Sequence, residues 1–285
     1  PETSSQENVD EEGVEVEIEK EKEKEKEKED VLSLGKRAFT AFQYNRSDAG
    51  DHYWGAINES PLPLFMMDTR TERQPRSSVS TASAQIVSER QYRALTDWLR
   101  TQSPDQPKLV TSSTMVLPRH RSAVGSVAGV ATLDSFEGYP GTLHSLLQFI
   151  VDEQIEHVIF LSGDEHLPVH ADIQLRRGSR SVRCHSLHTA GLYTPYRFAN
   201  TQPEDLVRHD QFRFETREGP VRASAVPVIC DVNADCYASG PGFTVLKVSE
   251  LTNREISSPE RFQAEVTFLS SQSVERTDAS LMFSF

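Results

Sequence analysis

The sequence predicts an α/β fold, a mixed sheet with crossover helices followed by a β-rich C-terminal half. Two observations support this prediction. Over residues 62–166, short apolar runs and amphipathic segments follow one another in the order strand, helix, strand, helix, strand, which is typical of parallel strands joined by helices. Beyond residue 166, short β-rich runs follow one another without a helical pattern of comparable strength. We therefore expect an antiparallel sheet to close the domain.

The first strand, the first helix and the second strand have local signals. The apolar run Leu64–Met67 ends abruptly in a polar cluster, as a buried strand does. Ser88 and Gln91 form a capping box, and apolar residues at helical spacing then continue towards Pro104, which marks the stop. Lys108–Thr111 is predicted as the next strand.

The second helix is the best-patterned segment of the chain. Its apolar residues recur at i, i+3, i+4, i+7 and i+8, one stripe that faces a sheet: Leu143, Leu146, Leu147, Ile150 and Val151. We also expect Phe149 to be buried. The helix is preceded by Arg119–Gly129, a basic segment rich in Gly and Ser that is predicted as a mobile loop, and is followed by the buried strand Val158–Leu161.

Six further strands are predicted in the C-terminal half. They are Ala171–Leu175, Ser181–Leu187, Gln211–Glu215, Val221–Ile229, Phe243–Val248 and Phe262–Leu269.

Composition divides the chain into three parts. Residues 1–30 hold 14 acidic side chains against five lysines and account for most of the formal charge of −13 over 285 residues. Having almost no apolar surface to bury, they are predicted as an acidic disordered linker, with a docking tail for a protein partner as the alternative. Residues 31–271 are expected to form the domain, and residues 272–285 a flexible tail.

Several function classes are disfavoured by composition. The body of the chain is mildly acidic and shows no basic patch for nucleic acid, which needs clustered Lys and Arg. Its apolar runs are too short for a membrane-spanning helix. Three cysteines, an odd number, suit a reducing compartment better than a disulfide framework. We therefore expect a cytoplasmic protein.

Two predicted strands end in polar clusters, where ligands collect in open α/β sheets. Arg70 and Arg73 follow the first strand, and Asp164 and His166 follow Gly163 after the third. If the backbone remains extended, Asp164 and His166 point towards a common site, and a carboxylate with an imidazole suits a divalent or trivalent metal ion. The alternative is that Asp164 caps a turn while His166 packs on the surface.

Four ordered segments resemble the PhoD-like phosphatases, a branch of the calcineurin-like metallophosphoesterases. Leu64–Arg73 resembles the family's strand and Asp-Thr-Arg turn, and Gly163–His166 resembles its Gly-Asp-x-His motif. Asp134–Pro140 resembles the Asp-x-Trp-x-Gly-Tyr-Pro segment, with Phe136 where the family commonly has Trp. Ser186–Asn200 is similar to the segment that follows the last motif.

The resemblance implies a partial metallophosphoesterase-type sandwich that hydrolyses phosphate mono- or diesters at a two-metal site, compatible with iron, calcium, manganese or zinc. Asp164 and His166 become candidate metal ligands. Arg70 and Arg73 become candidates for holding the substrate phosphate, with an ion pair to a carboxylate of the same turn as the alternative. Asp134 either approaches the same edge of the sheet or caps the following helix.

One departure from the family limits this hypothesis. Members draw early metal ligands from an N-terminal half, and no such set precedes Leu34. We therefore expect the chain to be the C-terminal portion of the domain, incomplete as an enzyme without upstream metal-ligand motifs. The alternative is a non-catalytic protein-interaction module derived from a metallophosphatase half-domain.

Overall fold

The computed structural model describes residues 52–58, 62–192, 201–215, 226–237, 241–251, 262–270 and 279–284. From Trp54 onward they belong to one compact unit. The acidic linker predicted over residues 1–30 lies outside the described residues. In the part of the chain that is described, no helix has the length and apolar character needed to cross a membrane.

An eight-stranded mixed sheet forms the centre of the molecule. Its strands are β1 (Gly55–Ile57), β2 (Leu64–Met66), β3 (Lys108–Ser112), β4 (Val158–Ser162), β5 (Val169–Arg177), β6 (Arg180–His188), β7 (His209–Phe214) and β8 (Val228–Cys236). Their order is β1-β2-β3-β4-β6-β5-β8-β7. Four adjacent strands run parallel to one another: β2, β3, β4 and β6. The remaining adjacent pairs are antiparallel, namely β1-β2, β6-β5, β5-β8 and β8-β7. The predicted mixed sheet is confirmed.

Three α-helices lie between the parallel strands along the chain: α1 (Glu89–Thr101) between β2 and β3, and α2 (Val127–Thr132) and α3 (Pro140–Asp152) between β3 and β4. Ser88 caps α1 as predicted, because its hydroxyl accepts a hydrogen bond from the Gln91 N–H at 3.2 Å. All five residues of the predicted α3 stripe are buried. Phe149 lies off that stripe and is only partly buried, with the Arg100 guanidinium 4.8 Å from its ring centroid.

A second, three-stranded antiparallel sheet is formed by β9 (Gly242–Glu250), β10 (Phe262–Ser270) and β11 (Ala279–Ser284). Side chains alternate between the two faces of a strand, and this alternation separates two apolar clusters. Phe65, Val110 and Phe160 of the central sheet pack with the helices. Leu109 and Ile159 pack instead with β10. The central sheet therefore has helices on one face and the second sheet on the other.

The structure corrects two expectations about order. The predicted flexible tail over 272–285 contains strand β11, which pairs with β10 along its length. Leu281 and Phe283 pack against the apolar cluster on β10, whereas the intervening Met282 is exposed. Within the predicted loop Arg119–Gly129, His120 forms a β-bridge with Leu206, so part of this segment is tied to the β-rich half.

Candidate functional site

Two turns form the candidate site at one edge of the central sheet. The arginine turn (residues 68–73) follows β2, and the histidine turn (residues 163–166) follows β4. Because β2, β3 and β4 run parallel, both turns lie at the same edge. They also meet there, since Arg70 Nη2 donates a hydrogen bond to Asp164 Oδ2 at 2.8 Å. The two polar clusters singled out in the sequence therefore form one surface.

Four charged side chains make up that surface. The Asp134 carboxylate accepts hydrogen bonds from Arg70 Nη1 and Arg73 Nη1, one on each oxygen. Asp134 thus approaches the edge rather than capping the next helical turn, whose N-cap is Ser135. Burial lowers the pKa of Arg70, but Asp134 and Asp164 outweigh it and raise that pKa above its ordinary value. Burial acts in the opposite direction on Asp134, and the two arginines outweigh it, so the pKa of Asp134 is lowered.

Asp68 holds the arginine turn together locally. Its Oδ1 accepts the backbone N–H groups of Arg70 and Thr71, both at 2.9 Å, and its Oδ2 accepts the Thr71 hydroxyl. These bonds are those of an aspartate that stabilises a turn. The buried Asp68 carboxylate therefore shapes the backbone that presents Arg70.

Glu72 and Gln91 anchor the arginine turn to helix α1. Glu72 accepts hydrogen bonds from the Ser88 hydroxyl at 2.7 Å, Gln91 Nε2 at 2.7 Å and Trp54 Nε1 at 3.0 Å. Burial raises the pKa of Glu72, but these donors outweigh it and hold that pKa below its ordinary value. Gln91, which is fully buried, also bonds the backbone N–H and C=O of Asp68 at 2.9 and 3.0 Å. These hydrogen bonds hold in place the turn from which the Arg70 guanidinium projects.

The histidine turn has a different backbone. Asp164 has φ +94° and His166 has φ +57°, both in the left-handed region that residues with a Cβ seldom adopt. The condition of an extended backbone, under which the two side chains would point towards a common site, is therefore not met. The carboxylate of Asp164 is bonded to Arg70, so the sequence separation of two does not by itself define a shared site.

Buried side chains support the histidine turn through Glu165. His120 Nε2 lies 3.2 Å from Glu165 Oε1, and the Thr201 hydroxyl donates to the other oxygen. The backbone N–H of Glu165 donates to His188 Nε2 at 3.1 Å. Burial lowers the pKa of His188 to about 4, so its ring is neutral at neutral pH. With Nε2 as an acceptor, Nδ1–H donates to the Ser162 hydroxyl at 2.9 Å.

Sequence reasoning missed these supporting residues. His120 lies in the segment predicted as a mobile loop, and Glu165 occupies the variable position of the Gly-Asp-x-His motif. The backbone N–H of His120 also donates to Glu137 Oε2 at 2.8 Å, which ties the Asp134–Pro140 motif to the histidine turn. Glu137 is the one acidic residue within Ser135–Pro140, and this is a sequence signal that could have indicated such a contact.

A family model described as PhoD-like phosphatase matches residues 14–225. The chain belongs to the PhoD-like phosphatase family. Among solved structures, one titled "Structure of PhoD" is similar, with a TM-score of 0.44 and 11% sequence identity. The similarity covers 82% of this chain and 42% of that chain, so this PhoD-like chain spans less than half of that protein's length. A search of curated proteins finds no match.

The described side chains of this PhoD-like chain do not by themselves fit a two-metal centre. Among them, no group of three or more His, Cys, Asp or Glu is arranged to hold a metal ion. Asp164 and His166 are donors of a suitable type, but the Asp164 carboxylate is paired with Arg70 at 2.8 Å. A complete centre therefore needs further donors or a rearrangement of Asp164.

Proposed function

We propose that this chain supplies part of the active site of a metal-dependent phosphoesterase that hydrolyses phosphate mono- or diesters. One observation carries the proposal: three of the four segments that resemble the family meet at a single point. Arg70 of the first motif bonds Asp134 of the second and Asp164 of the third. These residues lie far apart in sequence, and all three motifs fall within the matched residues 14–225. The two facing sheets would then be part of a metallophosphoesterase-type sandwich.

Arg70 and Arg73 are the proposed phosphate-binding residues. A guanidinium presents paired N–H groups that match two phosphoryl oxygens, and the Arg70 side chain is 42% exposed at the edge of the sheet. Arg73 is more enclosed, since its Nε donates to the Thr69 carbonyl at 2.7 Å and its Nη1 bonds Asp134. We therefore assign the direct contact to Arg70 first, with Arg73 holding Asp134 in place.

Asp164 and His166 are the proposed metal ligands from this chain. A cation held by these two residues would polarise a phosphoryl group and lower the pKa of a coordinated water. Two donors do not complete a coordination shell, so the remaining ligands must come from residues beyond those described here. Because no upstream set of metal-ligand motifs precedes Leu34, we expect the 285-residue chain alone to have little or no hydrolytic activity.

The first test separates the two roles in the complete protein. His166→Ala should lower bound metal and nearly abolish hydrolysis of p-nitrophenyl phosphate, because an imidazole ligand is lost. Arg70→Ala should keep the metal content and weaken substrate binding or turnover. Metal analysis by mass spectrometry and steady-state kinetics measure both effects. His209→Ala, which removes an exposed imidazole from β7, is the matched control and should change neither.

Two outcomes would contradict the proposal. A fully metallated and active His166→Ala protein would remove His166 from the site. A complete protein without any metal-dependent hydrolysis would favour the non-catalytic interaction module instead.

A further inference from the structure

Each terminal nitrogen of Arg70 already uses one of its two N–H groups to bind a carboxylate. Its Nη1 donates to Asp134 and its Nη2 donates to Asp164 Oδ2 at 2.8 Å. A phosphoryl group binds arginine through the same N–H groups. An oxyanion that approaches Arg70 therefore meets two carboxylates that already use one N–H of each terminal nitrogen and that repel its negative charge.

The two carboxylates are held to different extents. Asp134 bridges Arg70 and Arg73, with each of its oxygens accepting a hydrogen bond. Asp164 contacts Arg70 through one oxygen. The two carboxylate side chains are almost equally exposed, 46% for Asp134 and 47% for Asp164, so the number of bonds distinguishes them. An exposed ion pair of this kind contributes little free energy in water. Asp164 is thus the partner that an incoming anion can replace.

We propose that Asp164, while its carboxylate is paired with Arg70 and not bound to a metal ion, is a built-in competitor of the phosphoryl group at Arg70. This inference rests on the proposed function, in which Arg70 binds phosphate. With Asp164 in place, two guanidiniums face two carboxylates and their formal charges cancel. When Asp164 leaves, the cluster gains one net positive charge and a second N–H of Arg70 Nη2 becomes available. Arg73 and Asp134 keep Arg70 oriented in both states.

While the Asp164 carboxylate is paired with Arg70, it lowers the affinity of the site for phosphate. Inorganic phosphate, which is also the product of monoester hydrolysis, is then bound less tightly than by the bare arginine. The expected gain on removing the carboxylate is modest, since the contact is solvent-exposed.

The decisive variant is Asp164→Asn in the 285-residue chain. Asparagine adopts positive φ at least as readily as aspartate, so the turn at φ +94° is preserved. The probe is inorganic phosphate in metal-free buffer at pH 7, measured by titration calorimetry. We expect Asp164→Asn to bind phosphate roughly three- to tenfold more tightly than the natural sequence.

Two further variants test the origin of the gain. Asp97→Asn removes the same charge from an exposed aspartate that pairs with Arg100 at 3.1 Å in α1, and it should leave phosphate affinity unchanged. Asp164→Asn combined with Arg70→Met should lose the gain. Asp164→Gly, which suits the positive φ, should reproduce the gain and covers the case in which the asparagine variant folds poorly.

Equal phosphate affinities for the natural sequence and for both Asp164 variants would overturn the inference. A gain that persists in the Arg70→Met background would also overturn it, because the anion would then bind elsewhere. The proposed function is judged separately, by metal content and hydrolysis in the complete protein. The competitor can therefore fail while the phosphoesterase assignment stands.

Discussion

The two turns of the candidate site are stabilised in opposite ways. The arginine turn is bonded to α1 through the Glu72 carboxylate and the buried amide of Gln91. The histidine turn contains two residues at positive φ and is supported through Glu165 by the neutral imidazole of His188. The arginine turn therefore holds Arg70 on a backbone that is hydrogen-bonded to α1. The histidine turn holds Asp164 on a strained backbone at the surface. From this difference we expect that Asp164, and not Arg70, moves when the ion pair between them breaks.

The largest expected effect on stability comes from the hydrogen bonds that anchor the arginine turn. Gln91→Leu keeps most of the side-chain volume but removes the bonds to Asp68 and Glu72. Because buried polar groups then lose their partners, the free energy of unfolding should fall by on the order of 2–4 kcal/mol. Urea denaturation followed by circular dichroism measures it.

A change elsewhere on α1 serves as the control. Glu89→Gln breaks the exposed i, i+4 ion pair with Arg93 and should cost less than about 0.5 kcal/mol. Similar losses for Gln91→Leu and Glu89→Gln would show that the arginine turn does not depend on its anchor.

An intermediate effect on stability is expected from the backbone of the histidine turn. Glycine at position 164 adopts φ +94° without a Cβ clash, whereas alanine keeps the clash. Both variants remove the carboxylate, so their difference isolates the backbone. Asp164→Gly should be more stable than Asp164→Ala by about 1 kcal/mol, measured as the difference between their urea midpoints. Equal stability would show that the turn is not strained.

The smallest expected effect is a dependence of stability on pH. The folded pKa of Glu72 is lower than the ordinary value of 4.5, so the ionised form favours the folded state. This contribution is complete above pH 4.5 and is lost as the pH falls through the lower folded pKa. Since the group is partly solvated, it amounts to less than about 1 kcal/mol.

Glu72→Gln should remove that part of the pH dependence. Thermal midpoints of the natural sequence and the variant, compared between pH 6 and pH 3, should converge towards acid pH. Parallel curves would mean that Glu72 titrates alike in the folded and unfolded chain.

The fold was largely predictable where periodicity is strong. The α3 stripe and the run Val158–Leu161 fix a helix and a strand, and the structure has α3 and β4 at those positions. Periodicity does not show which strands pair over long distances. It therefore did not indicate that β5 to β8 extend the central sheet while β9 to β11 form a separate one.

The site was predictable at the level of motifs but not of contacts. Arg70, Asp134 and Asp164 were all singled out, and the structure brings them together. Their pairing depends on the register of parallel strands and on the backbone of the turn, which local patterns do not determine. The supporting role of His120 escaped for the same reason, since its partner Glu165 lies 45 residues away.

Strand β11 gives the end of the described chain a protective role. The Phe283 ring stacks on the buried His185 imidazole with centroids 4.0 Å apart, and His170 Nε2 lies 3.1 Å from His185 Nδ1. Removing residues 279–285 would take away the cover of this pair and one of the two strands that pair with β10. Solvent would then reach amide and imidazole groups that the intact chain shields, and their protons would exchange with deuterium oxide. A truncated chain would also offer an unpaired β10 edge to other molecules.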